Sequence, residues 1–165
     1  MRRCLFLDRD GVINAAPPEG EYVHSWDEFR LLPEAVSWIR LFKAAGYLAI
    51  VVTNQRGIAR GLYTHADLQA LHERMRAELA AQGAELDDVF YCPHEEGACD
   101  CRKPRPGLVL EAQRKWDIDL GTSLLIGDGE RDRLLAERCG IPFVLVREGR
   151  VVDTQLVLSA PKPPV

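Results

Sequence analysis

Short apolar runs alternate along this chain with stretches whose apolar residues recur every three or four positions. The first run, Cys4-Leu5-Phe6-Leu7, has no helical period and predicts a buried β-strand. Pro33-Glu34 opens a predicted helix, with Val36, Ile39 and Phe42 on one face and Gly46 just past its end. Tyr47 to Val52 is a second apolar run, ending at Thr53-Asn54-Gln55, and the three elements make a right-handed β-α-β unit. Thr64 with Asp67 resembles a capping box, and Leu68, Leu71, Met75 and Leu79 follow at helical spacing as a core stripe. A strand near Val89-Phe90-Tyr91 and a helix from Pro106 to Trp116 come next. The strand Ser123 to Ile126 then runs into Gly127-Asp128, and a helix from Arg131 to Cys139 ends at Gly140. Phe143 to Val146 closes the predicted sheet. Strands alternating with helices throughout predict an α/β fold with a Rossmann-like, doubly wound parallel sheet.

Length agrees with this picture, since 165 residues suit one domain with a full core. Residues 1–150 are assigned to that domain and 151–165 to a C-terminal tail, whose proline-rich end from Ser159 is expected to be loosely ordered. No insertion after Asn14, or between Gln55 and Lys103, is large enough for a separate cap domain, so an open site is expected. The Pro/Gly loop from Ala15 to Tyr22 runs near that opening and is a candidate substrate-contact segment.

Hydrophobic content of 47% and charged content of 28% are ordinary for a globular protein. A net charge of −4 argues against broad nucleic-acid binding, which needs a basic surface, but leaves room for a small phosphorylated substrate held by a few local cations. The apolar run before Asp8 is too short for a signal peptide, and nothing later reaches the length of a membrane span. The expectation is a cytoplasmic monomer with neither a membrane nor a nucleic-acid partner.

The candidate chemistry lies at the ends of the predicted strands. Asp8-Arg9-Asp10-Gly11 follows the first, Thr53-Asn54 ends the second, Arg102-Lys103-Pro104 precedes a helix, and Gly127-Asp128 with Asp132 follows the fourth. In a parallel sheet the carboxyl ends of the strands share one edge, where ligands bind, so these residues are expected to meet in one crevice. Clustered carboxylates need a cation, and hard oxygen ligands suit Mg²⁺. Lys103 and Thr53 offer donors to a transferring phosphoryl group, whose transition state is stabilised by position and charge.

Five cysteines, an odd number, point to reduced thiols or metal ligands more than to a disulfide framework. Cys92-Pro93-His94 and Cys99-Asp100-Cys101 supply three thiolates and an imidazole within ten positions, the donor set of a closed structural Zn²⁺ site. That loop, 92–101, runs directly into Arg102-Lys103, and zinc would fix the backbone that presents those cations.

In this order and spacing the four pieces resemble the motifs of haloacid-dehalogenase-superfamily phosphatases, spanning Asp8 to Asp132. The resemblance implies that Asp8 is a nucleophile forming an aspartyl-phosphate, and that Asp10 protonates the leaving oxygen and then activates water. It implies that Thr53 and Lys103 steady the phosphoryl oxygens, and that Mg²⁺ is held by Asp8, Asp128 and the Asp10 backbone carbonyl. Asp10 must start protonated, a state that close-packed negative charge favours. Asp132 is expected to support the metal site.

The Cys/His loop with Arg102-Lys103-Pro104 resembles the branch that contains heptose-bisphosphate and histidinol-phosphate phosphatases. The stretches from Thr53 to Gly61 and from Lys103 to Gly107 look more like the heptose type, whereas the short segment between His94 and Cys99 is nearer the histidinol-phosphate type. The implied substrate is a small phosphorylated sugar, contacted by Asn54 and Gln55, with Arg60 and Arg102 suited to a second phosphate. The alternatives are another small phosphomonoester such as histidinol phosphate or, outside enzymes, a zinc-stabilised binding module.

Overall fold

The computed structural model describes residues 1–155 and follows the predicted order of elements with one strand more. Strands β1 (Cys4–Leu7), β2 (Leu48–Asn54), β3 (Asp88–Cys92), β4 (Leu124–Gly127), β5 (Phe143–Arg147) and β6 (Arg150–Gln155) lie in the order β3-β2-β1-β4-β5-β6. The four helices are α1 (Pro33–Ala44), α2 (His65–Ala81), α3 (Gly107–Trp116) and α4 (Glu130–Cys139). The first five strands pair in parallel.

Because side chains alternate across a strand, the apolar runs feed two cores. Leu5, Leu7, Ala49 and Val51 pack on one face with Ile39 of α1 and Leu71, Met75 and Leu79 of α2. Cys4, Phe6, Leu48, Ile50 and Val52 face Leu108 and Val109 of α3 and Leu135 of α4. The expected capping box is present, with Asp67 N–H donating to Thr64 Oγ1 at 3.1 Å and Thr64 N–H to Asp67 at 2.9 Å.

The chain steps outward from β1 to β2 and β3, then returns to lay β4 on the other side of β1. The end of β1 is therefore the point where the winding reverses, and a crevice opens there.

The sheet does not close at Val146. Arg150–Gln155, which takes in residues 151–155 of the expected tail, forms an antiparallel edge strand on β5. Glu148 and Gly149 between them both have positive φ (49° and 77°), as a two-residue hairpin turn requires. Val151 and Val152 stay more than half exposed, so this strand lacks the buried apolar run by which the others could be read. The proline-rich end expected to be loose lies outside the described residues. Among those described, no helix is long and apolar enough to cross a membrane.

Candidate active site

β1 ends at Leu7 and delivers Asp8 to the crevice. Asp8 Oδ1 accepts from the Arg9 N–H at 2.8 Å, and its own N–H donates to the Ile126 carbonyl of β4 at 3.1 Å. Gly11 then turns the chain at φ +86°, and any Cβ there would overlap the Asp128 carboxylate. Glycine thus serves both the turn and the close approach of two acidic segments.

Lys103 lies at the floor of the crevice and is almost fully buried. Its Nζ is 2.9 Å from Asp8 Oδ1 and 2.8 Å from Asp132 Oδ1, and donates to the Val52 carbonyl at 3.0 Å. Burial alone would lower the pKa of this ammonium, but the Asp132 and Asp8 carboxylates outweigh it and hold the pKa above its ordinary value. Asp132 Oδ2 also accepts from the Asp128 N–H at 3.3 Å. Asp132 therefore ties Lys103 to the Asp128 backbone.

Carboxylate oxygens of Asp8, Asp128 and Asp132 lie within 4.8 Å of one another. One ammonium leaves two of these three formal charges uncompensated. Burial and the Asp132 charge push Asp8 well above the usual carboxylate range, and the same causes raise Asp128 to about 6. This donor set, all hard oxygen and two charges short of neutral, fits a divalent cation.

Asp10 lines the same cleft, and its Oδ1 accepts from Arg9 Nη2 at 2.8 Å, Arg9 Nε at 3.2 Å and Asn14 Nδ2 at 3.0 Å. Its nearest partners are therefore donors.

Thr53, Asn54 and Gln55 end β2 in three different ways. Tyr63 donates to Gln55 Oε1 at 2.6 Å, which aims the amide nitrogen at Thr53 Oγ1 (3.1 Å) and Asp10 Oδ2 (3.3 Å). Since Thr53 Oγ1 accepts from Gln55, its own proton remains free to be donated into the crevice. Asn54 accepts the Lys103 N–H at 2.9 Å and donates to the Lys103 carbonyl at 3.2 Å, clamping the backbone of that residue. Both amides expected to touch substrate are thus engaged with the protein's own groups.

The Cys/His loop begins at the last residue of β3. Cys92 Sγ is 2.7 Å from Cys101 Sγ and 3.4 Å from Cys99 Sγ, and His94 Nδ1 is 3.2 Å from Cys101 Sγ. All four donor atoms lie within 4.8 Å of one another, so these residues could hold a metal ion. Burial pushes the Cys99 thiol up, but the Arg102 N–H and the neighbouring thiols outweigh it and bring it down to about 6, which favours a thiolate. Gln55 N–H donates to the Cys92 carbonyl at 2.7 Å, joining the loop to β2.

A cleft of about 480 Å³ is lined by Asp8, Asp10, Thr53, Asn54, Lys103 and Asp128, together with Ala16 and residues 129–132. A larger hollow of about 720 Å³ runs beside it along the loop from Ala15 to His24, sharing Ala16. Arg60 and Arg102 line neither. Arg60 is ion-paired with Glu95 and shares the Tyr22 hydroxyl with Arg56. Arg102 is buried, with Nη1 unpartnered among the described residues, and its pKa is held down by burial and by the charges of Arg131 and Arg56.

Three residues of this site escaped the sequence reading: Arg9, His72 and Tyr63, all buried. His72 had one usable signal, since it falls on the same helical stripe as Leu68, Met75 and Leu79 while being polar.

Residues 100–164 match the family model described as HAD-hydrolase-like. A D-glycero-beta-D-manno-heptose-1,7-bisphosphate 7-phosphatase of Rhodopseudomonas palustris is 43% identical over 86% of this chain and 81% of its own length. A D-glycero-alpha-D-manno-heptose-1,7-bisphosphate 7-phosphatase of Photorhabdus laumondii is 39% identical over 89% and 84%. A crystal structure of D,D-heptose 1,7-bisphosphate phosphatase from B. bronchiseptica, complexed with magnesium and phosphate, superimposes with a TM-score of 0.80. It is 38% identical to this chain and covers 87% of it and 79% of the other.

Lys103→Met leaves Asp8 and Asp132 facing each other without a cation and is expected to cost about 3–5 kcal/mol at neutral pH in magnesium-free buffer. Lys103 holds the Asp8 and Asp128 carboxyls down, so the variant's carboxyls rise further and take up protons at higher pH than the wild type's; the deficit is therefore expected to narrow as pH falls from above neutral towards about 6, where wild-type Asp128 is protonated as well. Urea unfolding across that range checks this; a deficit that stayed constant would show that charge is not its origin.

Proposed function

This chain belongs to the haloacid-dehalogenase-like hydrolases, and from that membership we propose that it is a magnesium-dependent phosphatase removing the 7-phosphate of D-glycero-D-manno-heptose 1,7-bisphosphate. The heptose-bisphosphate phosphatases among its relatives support the substrate. The observation that carries the chemistry is Lys103, 2.9 Å from Asp8 and 2.8 Å from Asp132 at the floor of the cleft.

In this reading a carboxylate oxygen of Asp8 attacks phosphorus in line, the bond to the C7 oxygen of the sugar breaks, and Asp10 gives that oxygen a proton. Water then attacks the acyl phosphate at phosphorus while Asp10 takes its proton; the bond to Asp8 breaks and inorganic phosphate leaves. Lys103 and the Thr53 hydroxyl hold the phosphoryl oxygens as charge builds on them. Asp8, Asp128 and the Asp10 carbonyl are the ligands proposed for Mg²⁺, which when bound would neutralise the charge that Lys103 leaves over. Asp132 supports them by orienting Lys103 and the Asp128 backbone. The unpartnered Nη1 of buried Arg102, with Arg56 and Arg131 near it, suits the second phosphate. Zn²⁺ is assigned to Cys92, His94, Cys99 and Cys101, a donor set of the kind that closes a structural site.

Phosphate release from heptose 1,7-bisphosphate, measured beside histidinol phosphate, is expected to need Mg²⁺, to favour the heptose compound in both anomers tested, and to be absent in Asp8→Asn. Turnover by Asp8→Asn would contradict the nucleophile, and a preference for histidinol phosphate would contradict the substrate. Purified protein is expected to carry about one zinc per chain, and Cys99→Ser to lower both its zinc content and its melting temperature. A zinc-free protein that melts like the zinc-loaded one would remove zinc from the structural account.

A further inference from the structure

Behind the cleft lies a second group of polar side chains that the chemistry above does not use. Arg9, between the two catalytic acids in sequence, is fully buried. Each nitrogen of its guanidinium is hydrogen-bonded inside the protein. Nε and Nη2 go to Asp10 Oδ1 at 3.2 and 2.8 Å, Nη2 also to the Val23 carbonyl at 2.8 Å, and Nη1 to His72 Nε2 at 3.1 Å. Asp10 is the only carboxylate ion-paired with Arg9 among the described residues.

A guanidinium facing a carboxylate commonly engages both oxygens with two parallel bonds. Here both donors converge on Oδ1, and Asn14 Nδ2 adds a third at 3.0 Å. Oδ2 keeps one long contact, 3.3 Å from Gln55 Nε2. One oxygen of Asp10 is therefore anchored and the other left available to the reaction.

The anchor is only as well placed as Arg9 itself. His72, on α2, is nearly buried, and Arg9 donates to its Nε2, so the ring is neutral with its proton on Nδ1. Burial, followed by the Arg9 charge, lowers its pKa to about 3, in keeping with that neutral form. Tyr91 meets the ring edge-on at 6.0 Å. An unpaired buried N–H on Arg9 would be costly, so without His72 the guanidinium would move to find another acceptor, and Asp10 would move with it.

We propose that Arg9 and His72 are positioning residues, a buried clamp that fixes the Asp10 carboxylate by Oδ1 and presents Oδ2 to the substrate. Neither touches substrate; His72 acts through Arg9, and Arg9 through Asp10. The clamp rests on the reading of Asp10 as the acid and base of a phosphatase.

The test compares His72→Leu, which removes the acceptor, with His72→Gln, whose side-chain amide can replace Nε2. In His72→Leu, kcat on the heptose bisphosphate is expected to fall about ten- to a hundredfold with KM within about twofold, because orientation of the acid is lost and binding is not. His72→Gln is expected to recover kcat to within about threefold of wild type, even if both variants melt at the same temperature. A purely structural role for His72 would lower the melting temperature and the active fraction without this split or this rescue. Should His72→Leu fail to fold, His72→Ala removes the same acceptor with a smaller side chain that suits a helix. Wild-type kcat in a folded variant lacking the acceptor, or a His72→Gln as slow as it, would overturn the clamp. Asp8→Asn and wild type run alongside: a wild type that releases no phosphate, or an active Asp8→Asn, removes the phosphatase reading and the clamp with it, whereas unchanged kcat with both controls in order removes the clamp alone.

Discussion

A buried ammonium held between two carboxylates organises this molecule. Lys103 is nearly inaccessible, and it is stable there because Asp8, Asp132 and the Val52 carbonyl surround it within 3.0 Å. Those partners come from the loop after β1, the first turn of α4 and the strand β2, so one side chain joins the segments that meet where the sheet reverses its winding. The same contacts leave the cluster short of positive charge, as the raised pKa of Asp8 and Asp128 registers. A divalent cation would therefore complete, rather than disturb, the electrostatics of the crevice.

Lys103 reaches that position from an irregular segment, and its backbone has to be held by something other than a strand. Asn54 provides part of this, gripping both the N–H and the carbonyl of Lys103 from the end of β2. The Cys/His loop provides the rest. It starts on β3, is tied to β2 through Gln55, and closes on itself two residues before Lys103. Arg105 reinforces the closure by donating to the Cys99 carbonyl at 2.7 Å. A metal in this loop would act on chemistry only by position.

The parts legible in the sequence were those written in local pattern. Apolar runs placed five strands, and the acids and the hydroxyl at their ends were found because parallel strands share one functional edge, whereas Lys103, in a loop, was found by the motif around it. What was not legible depended on tertiary partners. Arg9 lies between two acids in a polar stretch, and nothing local shows that it turns into the interior towards His72, sixty-three positions away. Asn54 and Gln55 have the chemistry to bind a sugar, but nearby Lys103, Tyr63, Thr53 and Asp10 claim their side chains. Arg60 looked free until Glu95 of the Cys/His loop was brought beside it. β6 was missed because an edge strand need not be apolar, and Glu148-Gly149 before it is not one of the Asn-Gly or Asp-Gly pairs that mark a two-residue hairpin.

In the proposed mechanism Asp8 becomes covalently bound to phosphorus during turnover. Acid quenching of the Mg²⁺-loaded enzyme during reaction with the heptose bisphosphate, followed by peptide mass spectrometry, tests it most directly. A phosphoryl adduct is expected on the peptide containing Asp8, localised to that carboxylate and disappearing when substrate is exhausted. Steady turnover with no adduct on Asp8, together with inversion of configuration at a chiral phosphorus, would show that water attacks directly and would contradict it.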